Sequence, residues 1–212
     1  MIRIANTSTS AECSTTGFSQ SACGYVIEFT DILAKYSINT TATTKGGCPG
    51  SAIYKLVNGT DETLYSANTT DSSTKSSVKS IYMSLPEELR NVIIDTTVIS
   101  SHGTADSANF TSTDKLYLLS TAEVWAQGTS NTIGNDTARD VTRQLDYYLN
   151  QKVTTSSYSA AKKQYNGSAT TWLLRSAASS GDGSYYRVNS NGNWHDNYAT
   201  TTCGVSPSFR IG

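Results

Sequence analysis

Hydrophobic residues are spread unevenly along this sequence, and their spacing changes character twice. Near the start, "GYVIEFTDILAKYSI" couples an apolar β-branched run to Ile32, Leu33 and Tyr36 at helix-like intervals, which predicts a strand leading into a short helix. From Thr40 to about Thr74 the chain is mostly Thr, Gly, Asn and Ser, so loops are expected, with "AIYKLV" as the one segment able to make a strand. In the middle, Val78, Ile81, Tyr82 and Leu85 recur at helical spacing, and Ser84 with Glu87 forms a capping box around Pro86. Two consecutive helices are predicted there. "VIIDTTVIS" and "DKLYLLS" read as strands, the second running into another capping box, Ser120 with Glu123. "TARDVTRQLDYYLNQK" then sets Val141, Leu145, Tyr148 and Leu149 on one helical face.

The last third switches to strand patterns. "TTWLLRS", "SYYRVNSNGNW" and "GVSPSFRI" are separated by turns, and Asn191-Gly192 is a hairpin signal. The expected class is α+β, with helices packed around a small antiparallel sheet that ends in a C-terminal hairpin and a closing strand. At 212 residues with 37% hydrophobic content, a single domain over 1–212 is expected.

Charge narrows the partners. Lys+Arg 16 against Asp+Glu 17 leaves a net charge of -1, without the positive field that recruits phosphate backbones, so nucleic acid is not expected as a partner. Charged residues are 16% of the chain, while Ser and Thr fill 62 positions, so solubility rests on hydroxyls and amides, a composition shared with surface and virion proteins. No run approaches the ~20 apolar residues that span a bilayer, and "MIRIANTSTS" has neither part of a signal peptide, so membrane insertion is not expected. The seven N-x-S/T triplets are what a chain rich in Asn and Thr makes by chance.

Cys13, Cys23, Cys48 and Cys203 lack zinc-site spacing. Cys13 and Cys23 bracket "CSTTGFSQSAC", which suits a local disulfide in an oxidising compartment; four unpaired thiols in a reducing cytoplasm is the other reading. Ser101, His102 and Asp106 are the residue types of a hydrolytic triad, but adjacency in sequence is not triad geometry. Glu87 and Glu88 fall in the first turn of a predicted helix, where its dipole favours negative charge. "TIGNDTARD" and "SGDGS" hold calcium-loop residue types without the calcium-loop spacing, and no phosphate-cradling glycine motif occurs. No cofactor or metal is expected, and calcium is the one ion left open.

The closing stretch carries the candidate chemistry. Tyr185, Tyr186, Trp194, His195, Asp196, Asn197 and Tyr198, set among Ser184, Ser190, Thr200 and other small polar residues, have the composition of an antibody paratope. Those ten residues are the candidate ligand contacts. A tyrosine-rich hairpin whose rings only pair across strands is the competing reading. His195 to Tyr198 are consecutive, so an alternating strand cannot bury all four on one face.

The blocks "LPEELRNVIIDT", "TDKLYLLSTAEVW", "TRQLDYY", "WLLRSA" and "GVSPSFRI" resemble the domain of unknown function family 6273 of gut bacteria and their phages. Members similar to this chain resemble targets of diversity-generating retroelements, in which adenines of a C-terminal coding segment are rewritten and the segment is displayed on a C-type-lectin-like fold. The resemblance implies a frame of Trp172, Leu173, Arg175, Gly204, Val205, Pro207, Phe209 and Ile211, and a variable display segment at about 176–203. Adenine-rich Asn codons can become Tyr, His, Asp, Ser, Thr, Gly or Cys, the types crowded there, which makes Cys203 a chance product on this reading. The expected function is a non-enzymatic module that binds a protein or glycan on a cell surface, located on a bacterial surface or a phage particle. A structural pilus or phage-fibre subunit with a tyrosine-rich assembly interface is the alternative, and a hydrolase using His102 or His195 the third.

Overall fold

Backbone hydrogen bonds that cannot be made within short, Thr- and Ser-rich segments are made between them, and strands accordingly dominate the computed structural model, which describes residues 1–59, 65–66, 77–129, 132–181 and 183–212. The chain opens with β1 (Ile2–Asn6), β2 (Val26–Phe29), β3 (Ala34–Tyr36) and helix α1 (Ala52–Asn58). A two-stranded ladder of β4 (Tyr65–Ser66) and β5 (Ser77–Val78) follows. Next come α2 (Glu87–Val92), β6 (Ile93–Ile94), β7 (Thr96–Ser100), β8 (Phe110–Asp114), α3 (Thr121–Val124) and α4 (Asp146–Asn150). The last third is β9 (Lys163–Tyr165), β10 (Ser168–Thr170), β11 (Trp172–Ala177), β12 (Ser184–Val188), β13 (Trp194–Tyr198), β14 (Cys203–Val205) and β15 (Ser208–Ile211). The architecture is mixed α/β, mostly open sheet, with α-helices of four to seven residues among the described residues.

Two sheets organise it. A five-stranded sheet runs β13-β12-β11-β14-β3, and a four-stranded sheet runs β1-β2-β15-β6. β14 and β15 are joined by Ser206 and Pro207 alone, so the chain steps directly from one sheet to the other. Strand alternation splits the five-stranded sheet between two cores. Trp172, Leu174, Tyr186 and Val188 face a cluster with Trp125 and Tyr148. Leu173, Ala177 and Tyr185 face one with Ile38, Ile53 and Phe209. Apolar layers on both sides explain why every residue of β11 and β12 is buried.

Two buried charge networks brace these layers. Arg175 grips Glu123 with both terminal nitrogens, at 2.6 and 2.5 Å, and also donates to the carbonyls of Ile99 and Leu118. Burial alone would raise the Glu123 carboxyl, but the Arg175 charge and the hydrogen bonds from Arg175 and Ser21 outweigh it and hold the group below the usual carboxylate range. Glu28 on β2 accepts from Lys163 at 2.7 Å, from Arg3 at 2.7 Å and from Tyr148 at 2.9 Å.

Several sequence expectations are corrected. The sheet is not purely antiparallel, because β11 and β14 pair in parallel. The helix expected at Ile32 to Tyr36 is strand β3, since Leu33 N–H donates to the Val205 carbonyl at 2.9 Å and β14 supplies a ladder partner. "AIYKLV" is α1, not a strand, and buries Ile53, Leu56 and Val57 at helical spacing. Ser84 does not cap α2: Pro86 occupies the N-cap, and the Ser84 hydroxyl donates to the Ser80 carbonyl at 2.8 Å. The helix before it shrinks to a 3-10 turn at Tyr82–Ser84, with Ile81 and Leu85 packed on the second core. Of "DKLYLLS", Asp114 ends β8 opposite Thr96, and beyond it the segment makes one ladder contact, a bridge from Tyr117 to Ser208. Val141 falls in a 3-10 turn ahead of α4, and Leu149 is exposed, so the four-residue apolar face reduces to Leu145 and Tyr148.

Other expectations are met. The capping box of Ser120 and Glu123 forms, and Glu87 and Glu88 lie in the first turn of α2. Cys13 and Cys23 are joined as a disulfide, while Cys48 and Cys203 are free and buried. Among the described residues no helix is long and apolar enough to cross a membrane.

Candidate functional site

β13 is an edge strand, bonded on one side to β12 and on the other to nothing in its sheet. Its register with β12 pairs Ser184 with Tyr198, Tyr185 with Asn197, Tyr186 with Asp196, Arg187 with His195 and Val188 with Trp194. The connection runs through Asn189 to Asn193. Gly192 sits there at φ +94, and a Cβ on it would lie 2.1 Å from the Tyr158 carbonyl oxygen, so glycine is demanded by both backbone and space. Asn191 and Asn193 stiffen the turn by accepting the N–H groups of Asn193 and Trp194 at 3.0 and 2.9 Å.

Side chains of this hairpin divide sharply. His195, Tyr198, Ser190 and Thr200 are exposed, Tyr198 at 58%, whereas Trp194, Asp196 and Asn197 are half-buried. No member of the run His195 to Tyr198 is buried. Trp194 leans its ring on Tyr186, with centroids 5.9 Å apart. Ser184, Tyr185 and Tyr186, expected among the displayed residues, are instead buried. The reason is position: β12 is an interior strand with ladder partners on both sides and a core on each face, so it has no side left for solvent. Burial, with Asp136 and Asp196 nearby, pushes the Tyr186 phenol up to about 12, which keeps it neutral. The expected frame residues are buried as well, except Ile211, which is half-buried.

One residue of the hairpin was not singled out from the sequence. Arg187 is 8% exposed, and its Nη1 donates to Cys203 Sγ at 3.3 Å, while its Nε has no hydrogen-bond partner. The alternation of "SYYRV" places Arg187 on the face of Tyr185, and that was the available signal.

The other candidates are accounted for by local bonding. Ser101 Oγ bonds both backbone groups of Ala177, His102 Nδ1 lies 2.6 Å from the Gly103 carbonyl oxygen, and Asp106 accepts the N–H of Gly46 at 2.8 Å. They do not converge. Asp136 in "TIGNDTARD" accepts from Thr121 at 2.6 Å and from the Ala138 N–H at 3.1 Å, and Asp182 in "SGDGS" lies outside the described residues. Among the described residues, no group of three or more His, Cys, Asp or Glu side chains is arranged to hold a metal. An open groove of about 430 Å³ passes Trp125, Gln127, Asp136, Arg139 and Gln144, and a small cavity of about 10 Å³ beside Cys48, Ser112, Asp114 and Arg175 has room for about one water.

No curated protein and no solved structure matches this chain. Residues 30–212 match the family model described as a domain of unknown function, DUF6273, and the chain belongs to that family.

Proposed function

We propose that this protein is a non-enzymatic ligand-binding module whose edge strand and adjoining loops display an aromatic and polar surface to a protein or glycan on a cell surface. The observation that carries the reading is the contrast between neighbouring strands: β12 is buried at every residue, and β13 beside it leaves none of its five residues buried. A rigid strand with mixed Trp, His, Asn and Tyr side chains at its outer edge has the composition and pre-organisation of a paratope. The retroelement resemblance fits the same division, with a C-type-lectin-like frame below and variable positions within 176–203 above. Separate partners for Ser101, His102 and Asp106 support a binder rather than a hydrolase. The Cys13–Cys23 disulfide agrees with an extracellular place on a bacterial surface or phage particle.

The test is binding of the purified chain to candidate host cells. Replacing His195, Asn197 and Tyr198 by alanine should abolish binding while changing stability by only ~0.5 kcal/mol per site. Equal binding by the triple variant would refute the reading. Deep sequencing of the coding region across sibling cells or phages tests the diversification separately: substitutions should be confined to adenines of the codons for 176–203.

A further inference from the structure

We infer that Arg187 is a recognition cation, kept without a counterion behind the edge strand, and that the ligand supplies a carboxylate to it. This rests on the display reading and names the chemistry that the displayed surface takes. Three basic side chains are buried among the described residues: Lys163, Arg175 and Arg187. Lys163 is paired with Glu28 at 2.7 Å and Arg175 with Glu123 at 2.5 Å. Arg187 alone of the three has no ion pair among the described residues, and its bond to the Cys203 sulfur is to a weak acceptor. The guanidinium is thus 8% exposed with one weak acceptor and no carboxylate bonded to it among the described residues.

The free edge of the group defines what would pair with it. Nη1 is used on Cys203, which leaves the Nε–H edge, where Nε and Nη2 present two parallel N–H bonds matched to the two oxygens of a carboxylate. Tyr185, two residues earlier on the same face, also has a buried hydroxyl with no partner, so this face holds two orphan donors. On the edge strand, Arg187 is in register with the exposed His195 and Tyr185 with half-buried Asn197, so these two side chains stand between the orphan donors and solvent. A carboxylate arriving there would convert an unpaired buried charge into a charge-assisted pair, and the gain would appear only on binding.

The experiment is an NMR titration of the full chain with sodium acetate against sodium chloride at equal ionic strength, following the Arg187 Nε–Hε resonance. A saturable shift with acetate and none with chloride is expected. Arg187→Gln should weaken the acetate response at neighbouring amides by about 10- to 100-fold, and Arg187→Lys should fall between, keeping the charge and losing the fork. D-glucuronate and N-acetylglutamate as further probes separate an acidic sugar from a protein side chain as the source of the carboxylate. A resonance indifferent to acetate overturns the inference. So does an Arg187→Gln chain whose melting temperature drops as far as that of a core truncation, which would make the arginine structural. If Arg187→Gln leaves cell binding intact while the alanine variants of His195, Asn197 and Tyr198 abolish it, the display surface stands and its carboxylate chemistry falls; if neither affects binding, both fall.

Discussion

Trp125 donates its indole N–H to the carbonyl of Gly192 at 3.2 Å, tying the fully buried ring at the end of α3 to the turn between β12 and β13. The β12–β13 hairpin is thereby held at its tip as well as along its ladder. Trp125→Phe keeps most of the ring and removes the donor, so global stability should fall by only about 1 kcal/mol. The loss should be concentrated at the turn, read as faster amide hydrogen exchange at Gly192 and Asn193 than elsewhere in the sheet. Gly192→Ala should cost more, because it meets both a positive φ and the Tyr158 carbonyl.

Tyr186 and Tyr198 belong to adjacent strands and opposite environments. Tyr186→Ala removes a ring from the first core and should cost about 3–5 kcal/mol in chemical denaturation. Tyr198→Ala, at a position 58% exposed, should stay within about 0.5 kcal/mol. Comparable losses at the two sites would contradict the burial described for β12 and β13.

The Arg175–Glu123 pair is fully enclosed, so breaking it from one side leaves a bare charge inside the protein. Arg175→Met or Glu123→Gln alone should destabilise by roughly 3–5 kcal/mol. The double variant should recover part of that, since neither charge is then stranded, and a double-mutant cycle in urea measures the coupling.

Asp114 gives a pH signature. Burial pushes its carboxyl up to about 6 despite the hydrogen bond donated by Tyr54 at 2.8 Å. An acid whose folded pKa exceeds its unfolded one binds more protons when folded, so its contribution favours the fold at low pH and is lost as pH rises from about 4 through about 6. Asp114→Asn should remove this slope. The variant should gain up to about 3 kcal/mol on the parent at pH 7 and lose the advantage near pH 4, as followed by thermal melts across that range.

The C-terminal strands were legible because their signals are local: "WLLRS" and "SYYRV" are dense in apolar and aromatic residues, and Asn191-Gly192 marks the turn that joins β12 to β13. Alternation alone says that His195 to Tyr198 cannot share one buried face; that neither face of β13 is fully covered is a property of its edge position, since β12 next to it buries five consecutive residues. The fate of Tyr185 and Tyr186 depended on β11 covering the far side of β12, a fact about a neighbouring strand and not about their own spacing. β3 and α1 were misread because each is short, and its state is decided by distant partners, Val205 for the first and the second core for the second. Arg187 is not marked by its own sequence window, because its character lies in making no ion pair among the described residues, and that depends on what surrounds it in space.

The family match begins at Thr30, one residue after β2 ends, yet β2 lies between β1 and β15 and carries Glu28. A chain started at the family boundary would therefore strip the closing strand of its inner neighbour and strand the Lys163 ammonium in the interior. What looks in sequence like a leader to the matched region is, mechanically, an inner plank of a sheet, and any shortened version made for binding work has to keep it.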